Sequence, residues 1–228
     1  MSSTVRWCHA RGCVDAGAVG APRPREPWAP GAAAVLLRAA RTGDADAART
    51  AIEGGARVDA RDEERRTPLL LAVHGDHVRL ARLLVEAGAD PDAQDRREDS
   101  PWLATGVTGS VAMLHTLLPA GPDLKLRNRF GGIALIPASE RGHVGYVREL
   151  LRVTDIDVDH VNRLGWTALL EAVILGDGGR VHQEIVELLL AAGATPGLPD
   201  GDGVTALEHA ERRGFAEIAA LLRHPDPR

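Results

Sequence analysis

An internal repeat with a period of about 33 residues is the feature that most constrains what this chain can fold into. The segment Thr-Pro-Leu-Leu-Leu-Ala that begins at Thr67 has counterparts that begin at Ser100, Ile133, Thr167 and Thr205. Leu-Leu pairs keep the same register, as does an Asp or Asn five residues before each start. A chain that repeats itself in this way is expected to form a row of small units that pack on one another.

Local signals predict two helices in each unit. Thr67 is a favourable N-cap, Pro68 suits the first helical position, and the apolar residues that follow have helical spacing. Gly75 interrupts this helix, a second helix is predicted from His77 to Glu86, and Gly88 is suited to end it. Such a pair cannot bury its apolar face alone, so its neighbours must cover that face.

The period, the Thr-Pro-Leu start, the Leu-Leu pairs and the Gly-Ala ending resemble those of ankyrin repeats. The resemblance implies an all-α fold, namely an ankyrin-repeat solenoid of stacked antiparallel helix pairs with β-hairpin or turn fingers. It also implies a protein–protein interaction module, either a scaffold or a regulatory binding protein, that is not an enzyme and needs no cofactor. The partner would be held by the fingertips and by the first helix of each pair.

Six repeats can be counted in the sequence, the first of them degenerate. They form a predicted ankyrin-repeat domain of residues 31–224, with repeats at about 32–61, 62–94, 95–127, 128–161, 162–199 and 200–223. The proline-rich end of residues 1–30 cannot be helix or strand throughout, so we interpret this segment as a disordered tail or an over-extended start of translation. Residues 225–228 are interpreted as a C-terminal tail.

The sequence departs from the family pattern at several positions. The family often has His after Thr-Pro-Leu, where it bonds between repeats, whereas this chain has residues such as Leu70, so packing is expected to replace that network. Arg65 and Glu98 stand where later fingers have glycine, and Pro119 is expected to disturb the second helix of the third repeat. Residues 175–182 carry an insertion that predicts a longer loop between two helices, as in a bacterial subgroup of ankyrin proteins.

The family pattern assigns the residues four, three and one before the Thr position of each repeat, and those seven and eight after it, to the partner-binding face. Together with three residues of the inserted loop, these positions give the predicted binding residues Glu63, Glu64, Arg66, His74, Arg96, Arg97, Asp99, Arg129, Phe130, Glu140, Arg141, Arg163, Trp166, Asp177, Arg180, His182, Arg212 and Arg213. Arginine outnumbers acidic residues here, which predicts a basic concave groove for an acidic protein surface. The alternative is that these arginines form only a solvated face.

Aromatic and polar residues of the motifs leave further alternatives open. Trp166 either binds the partner or covers the neighbouring finger, whereas Trp102 replaces a core leucine and is expected to pack in the core. Asn128 and Asn162 occupy turn positions, where their side chains are expected to bond the local backbone.

Composition limits the remaining function classes. The formal net charge of −5 argues against nucleic acid as a partner, and no apolar run approaches the length of a membrane span. Cys8 and Cys13 provide no disulfide framework and, with His9, no ordinary zinc spacing, so no metal site is predicted. We therefore expect a cytoplasmic monomer. A dedicated inhibitor, immunity protein or accessory protein for one bacterial enzyme is the alternative to a scaffold.

Overall fold

The computed structural model describes residues 30–224, and within them the chain forms twelve α-helices in six consecutive pairs. The twelve helices are α1 (Pro30–Thr42), α2 (Ala45–Glu53), α3 (Pro68–His74), α4 (Val78–Glu86), α5 (Pro101–Thr108), α6 (Val111–Leu117), α7 (Leu135–Glu140), α8 (Val144–Val153), α9 (Ala168–Ile174), α10 (Arg180–Ala191), α11 (Ala206–Arg212) and α12 (Ala216–Arg223). The predicted tails, apart from residue 30, lie outside the described residues. Boundaries between repeats and tails stay a prediction, and below each pair is numbered as one repeat.

The first helices begin where the sequence supplies a cap. The Thr67 hydroxyl oxygen accepts a hydrogen bond of 3.2 Å from the backbone N–H of Leu70, and Thr167 caps α9 in the same way. Thr205 and Glu208 form a capping box at the start of α11. In the fourth repeat the N-cap residue is Ala134, which provides no side-chain cap, and α7 extends over only six residues. Local chemistry therefore sets where most of these helices start.

The pairs stack in two rows, and the core lies between the rows. Each odd-numbered helix from α1 to α11 packs on the next odd-numbered helix, and each even-numbered helix packs on the next even-numbered one. Aliphatic side chains from every pair join one continuous buried cluster. Trp102 is fully buried in this cluster, which confirms its interpretation as a packing residue. The predicted all-α repeat solenoid is confirmed.

The fingers are tight turns at residues 62–66, 95–99, 128–132, 162–166 and 200–204. In each turn the first residue is Asp or Asn, and its Oδ1 accepts two backbone hydrogen bonds within the finger. The local bonding predicted for Asn128 and Asn162 is confirmed. Arg65 and Glu98 adopt φ values of 63° and 60°, a left-handed conformation that the equivalent glycines of later fingers adopt without a Cβ.

Hydrogen bonds between repeats are present, contrary to the expectation that packing alone would join them. The ring Nε2 of His77, His143 and His182 contacts a backbone carbonyl at the end of the preceding first helix, at Arg41, Val107 and Glu140. These imidazoles start the second helices or lie in their first turns, not in the Thr-Pro-Leu motif. The chain therefore joins its repeats through histidines at another register position.

Two repeats deviate from the common geometry. In the third, α6 ends at Leu117 and continues as a 3-10 turn over Leu118–Ala120, because Pro119 cannot donate the next helical hydrogen bond. In the fifth, five residues join α9 to α10, whereas three join α3 to α4, and α10 has twelve residues where α4 has nine. The insertion therefore lengthens the second helix as well as the loop. No helix between residues 30 and 224 has the length and apolar character of a membrane span.

Candidate functional site

A concave groove of about 430 Å³ runs along the finger and first-helix side of the solenoid. It extends from His74 at the end of α3 to Leu175 after α9, and its walls come from three fingers and from α5, α7 and α9. The groove is partly open to solvent. A groove of this form can hold an extended segment or a loop of another protein.

The structure brings some of the predicted binding residues together and places the others elsewhere. Eight of them line the groove: His74, Arg97, Asp99, Arg129, Phe130, Glu140, Arg141 and Trp166. The other ten lie outside it: Glu63, Glu64, Arg66, Arg96, Arg163, Asp177, Arg180, His182, Arg212 and Arg213. Whether any of them contacts a partner stays a prediction.

Several of those outside the groove hold the solenoid together. Arg163 donates its backbone N–H to Phe130 O at 2.9 Å and its guanidinium to the carbonyl oxygen of Arg129, so it ties two fingers. Arg213 donates a hydrogen bond of 3.0 Å to the carbonyl oxygen of Gly176 in the inserted loop. In the first turn of α10, His182 Nδ1 lies 2.9 Å from Asp177 Oδ1 of that loop. The inserted loop therefore uses its polar side chains for its own closure.

The charges that line the groove are balanced, not predominantly basic as the sequence suggested. Arg97, Arg129 and Arg141 face Asp99, Glu140 and Glu171 around the same space. None of these six side chains forms an ion pair within residues 30–224. By contrast, the finger of the second repeat (residues 62–66) pairs Arg66 with both Asp62 and Glu64. The groove thus concentrates charged groups that form no direct ion pair with one another or with the other described residues.

Glu171 is the most deeply placed ionisable group of the groove. It lies at the middle of α9, its residue is only 7% exposed, and its Oε1 accepts a hydrogen bond of 2.8 Å from Asn162 Nδ2. Burial raises the pKa of its carboxyl to about 7, the nearby charge of Glu140 adds to this rise, and the Asn162 hydrogen bond opposes it. Near neutral pH the free protein therefore holds Glu171 close to its point of half-ionisation.

Apolar side chains form much of the rim. Phe130, Leu164 and Leu175 are 51%, 54% and 49% exposed, which places them among the most exposed large apolar residues that the structure describes. Trp166 is half-buried, packs against the core cluster and also lines the groove, and its role in binding a partner stays a prediction. The guanidinium carbon of Arg129 lies 4.4 Å from the centre of the Phe130 ring.

Sequence reasoning missed nine of the residues that line the groove. These are Val107, Asn128, Gly132, Ile136, Pro137, Asn162, Leu164, Glu171 and Leu175. For Glu171 a signal existed, because Leu71, Ala104 and Pro137 hold the same register position in the preceding repeats. A carboxylate at an otherwise apolar position of a repeat is a sign of a specialised site.

The lining of the groove offers charge, hydrogen bonding and apolar contact. Its lining contains carboxylate, guanidinium, amide and imidazole groups and no hydroxyl or thiol side chain. Within residues 30–224 no group of three or more His, Cys, Asp or Glu residues has the geometry of a metal site. The Cys8, His9 and Cys13 segment lies outside these residues. The arrangement is suited to recognition.

The fold and the groove define a helical-repeat protein of the kind that binds other proteins. A family model described as ankyrin repeats in three copies matches residues 25–95 and 102–200. The chain therefore belongs to the ankyrin repeat family, whose repeats are generally protein–protein interaction modules.

Solved structures and a bacterial relative share this family. An ankyrin repeat domain from Acinetobacter baumannii AYE is 48% identical, with a TM-score of 0.79 over 82% of this chain and 95% of that one. The ankyrin repeat protein EF0377 is 39% identical, with a TM-score of 0.81 over 84% of this chain and 97% of that one. The ankyrin repeat protein YahD of Escherichia coli (strain K12) is 56% identical over 94 residues, 41% of this chain and 47% of YahD. The match thus spans less than half of YahD.

Proposed function

We propose that this protein binds a segment of a partner protein in the groove of its third to fifth repeats. The observation that carries the proposal is the convergence of unpaired charged side chains and exposed apolar side chains on one concave space. Arginine and large aromatic residues dominate the energetics of many interfaces, and here Arg129 and Phe130 lie together on the rim. A solvated face would leave the apolar rim unexplained.

The proposed partner segment carries acidic groups that meet Arg97, Arg129 and Arg141. Unpaired guanidinium groups in a concave surface attract carboxylates and can bind them in a bidentate geometry. We further propose that the protein is a cytoplasmic monomer. Its partner is a protein and not nucleic acid or a membrane, in keeping with the net charge of −5.

Charge reversal tests the groove. The variant Arg129→Glu/Arg141→Glu is compared with the wild-type chain and with Arg79→Glu/Arg82→Glu, which makes the same change in charge on α4. Each protein is used to capture partners from a lysate of the native host, with quantification by mass spectrometry. Proteins captured by the wild type and the α4 variant should be lost from the groove variant, while all three chains unfold at similar temperatures.

Arg163 is left out of this variant because its side chain and backbone join two fingers, so its replacement would change stability as well as binding. Identical capture by the groove variant and the wild type would overturn the proposed site. Recovery of one enzyme in equal molar amount would favour the dedicated inhibitor or accessory protein over a scaffold with several partners.

A further inference from the structure

One oxygen of the Glu171 carboxyl has no partner among the described residues. Asn162 donates to Oε1 only, and Oε2 accepts no hydrogen bond from the rest of the described chain. Among the described residues, the fully buried side-chain polar atoms without a hydrogen-bond partner belong to Asp92 and Trp102. Glu171 Oε2 is not one of these atoms, so it remains accessible from the groove. A carboxyl that is largely removed from water and open on one side is costly to ionise unless a cation meets it.

No cation of the surrounding helices meets it. The helices packed against α9 are α7, α10 and α11, and their charged or titratable groups, with the residue after α7, are Glu140, Arg141, Arg180, His182, Glu184, Glu187, Glu208, His209, Glu211 and Arg212. Of these groups, Glu140 shifts the pKa of Glu171, and it raises that pKa because it carries a charge of the same sign. Arg141 follows Glu140 in sequence, yet neither carboxyl forms an ion pair with it.

The walls beside these two carboxyls are apolar. Trp166, Leu175 and Pro137 line the groove together with Glu171 and Glu140. Leu175 remains half exposed, and Trp166 is only partly buried. A lysine or arginine side chain combines an aliphatic stem with a charged head, so it matches walls and carboxyls at once. The guanidinium of arginine also stacks well on an indole ring.

We propose that this end of the groove is a subsite for a basic side chain of the partner, with its charged head at Glu171 and Glu140 and its stem between Trp166 and Leu175. The inference rests on the proposed function and deepens it, because the partner segment must then carry a basic residue beside its acidic groups. Arginine is the better occupant, since its planar head can donate to both carboxyls.

The test uses the full chain, isotopically labelled for NMR, and the probe Nα-acetyl-arginine methylamide. Saturable shifts should centre on the Trp166 indole N–H and the Leu175 amide, and the Glu171 side-chain carboxyl carbon should move toward its ionised value. The neutral probe Nα-acetyl-norleucine methylamide should bind at least about tenfold more weakly, because it keeps the stem and lacks the charged head.

Variants identify the carboxyls. Glu171→Gln retains the acceptor for Asn162 and should weaken arginine-probe binding about tenfold or more, Glu140→Gln should weaken it severalfold, and Glu187→Gln on α10 should leave it unchanged. Thermal unfolding of each variant shows that it is folded. If Glu171→Gln were unstable, Glu140→Gln alone would still have to weaken binding.

Equal binding of the norleucine probe, shifts scattered over the surface, or unchanged binding by both groove variants would overturn the subsite. Failure of the arginine probe, while partner capture still depends on Arg129 and Arg141, would reject the subsite and leave the proposed function in place. The reverse result, probe binding with capture insensitive to those arginines, would reject the proposed acidic partner face and retain the subsite.

Discussion

The side-chain amide of Asn162 donates a hydrogen bond of 2.8 Å to Glu171, and this bond joins the finger of the fifth repeat to its first helix. The sixth repeat makes a connection at the same register, where Asp200 Oδ2 lies 2.7 Å from His209 Nε2. In the second repeat the position of Glu171 is occupied by Leu71, which has no polar group to offer a finger. The polar link between finger and helix is thus a feature of the C-terminal repeats.

Glu171→Gln should make stability less dependent on pH. Because the pKa of this carboxyl is about 7 in the folded chain against an ordinary 4.5, the unfolded chain loses its proton first as pH rises. The contribution of Glu171 to stability is therefore greatest below pH 4.5, falls as the pH rises from 4.5 to about 7, and is constant above about pH 7. At pH 8 the variant should exceed the wild type by about 1–3 kcal/mol in the free energy of unfolding.

Urea unfolding at pH 5 and pH 8 measures this effect, with Glu187→Gln as the control that should follow the wild type at both values. A Glu171→Gln variant that is less stable than the wild type at pH 8 would show that the ionised carboxyl is favourable in the free protein.

Asn162→Asp should destabilise the chain, whereas Asn128→Asp should be nearly neutral. Aspartate suits the turn itself, since Asp62 holds the same finger position and accepts the same backbone bonds. At residue 162, however, the new carboxylate replaces a donor and faces Glu171, which is expected to cost about 1–3 kcal/mol at pH 8. Asn128→Asp should change the free energy of unfolding by about 0.5 kcal/mol or less. Equal effects of the two substitutions would refute the special role of the Asn162 amide.

Glu98→Gly should stabilise the finger of the third repeat (residues 95–99). Residue 98 has φ of 60°, which crowds the Cβ of any residue other than glycine. The equivalent residue in the finger of the fourth repeat is Gly131, with φ of 75°. Relief of this strain should add about 0.5–1 kcal/mol to the free energy of unfolding after the entropy of the new glycine is deducted. Glu63→Gly, at an exposed finger residue without positive φ, should instead destabilise slightly. The prediction fails if both substitutions lower the unfolding midpoint in urea.

His143→Ala should weaken the junction between the third and fourth repeats. The imidazole Nε2 lies 3.0 Å from the carbonyl oxygen of Val107 in α5, and the ring packs beside Gly109. Loss of the bond and of the ring should cost about 1–3 kcal/mol, measurable by equilibrium urea unfolding. His224→Ala, at an exposed residue after α12, should cost almost nothing. A similar small effect at both positions would mean that packing alone carries the junction.

Much of the fold could be read from the sequence because its determinants are local. The hydroxyl of Thr67 reaches a backbone N–H only three residues away, and the Asx side chains of the fingers bond atoms two and four residues on. Pro119 ends α6 through its own missing N–H. The 33-residue period then fixes that the units stack, because none can bury its apolar stripe alone.

The site needed the tertiary structure. The sequence alone predicted Arg129 and Arg163 as binding residues and did not single out Glu171, because which side chains face a groove depends on distances between neighbouring repeats. The Arg163 side chain is hydrogen-bonded to the finger of the preceding repeat. Glu171 is buried between α7 and α11, and one of its carboxyl oxygens has no hydrogen-bond partner among the described residues. Burial and charge balance arise from residues some 30 positions apart along the chain, and no local pattern encodes the space between them.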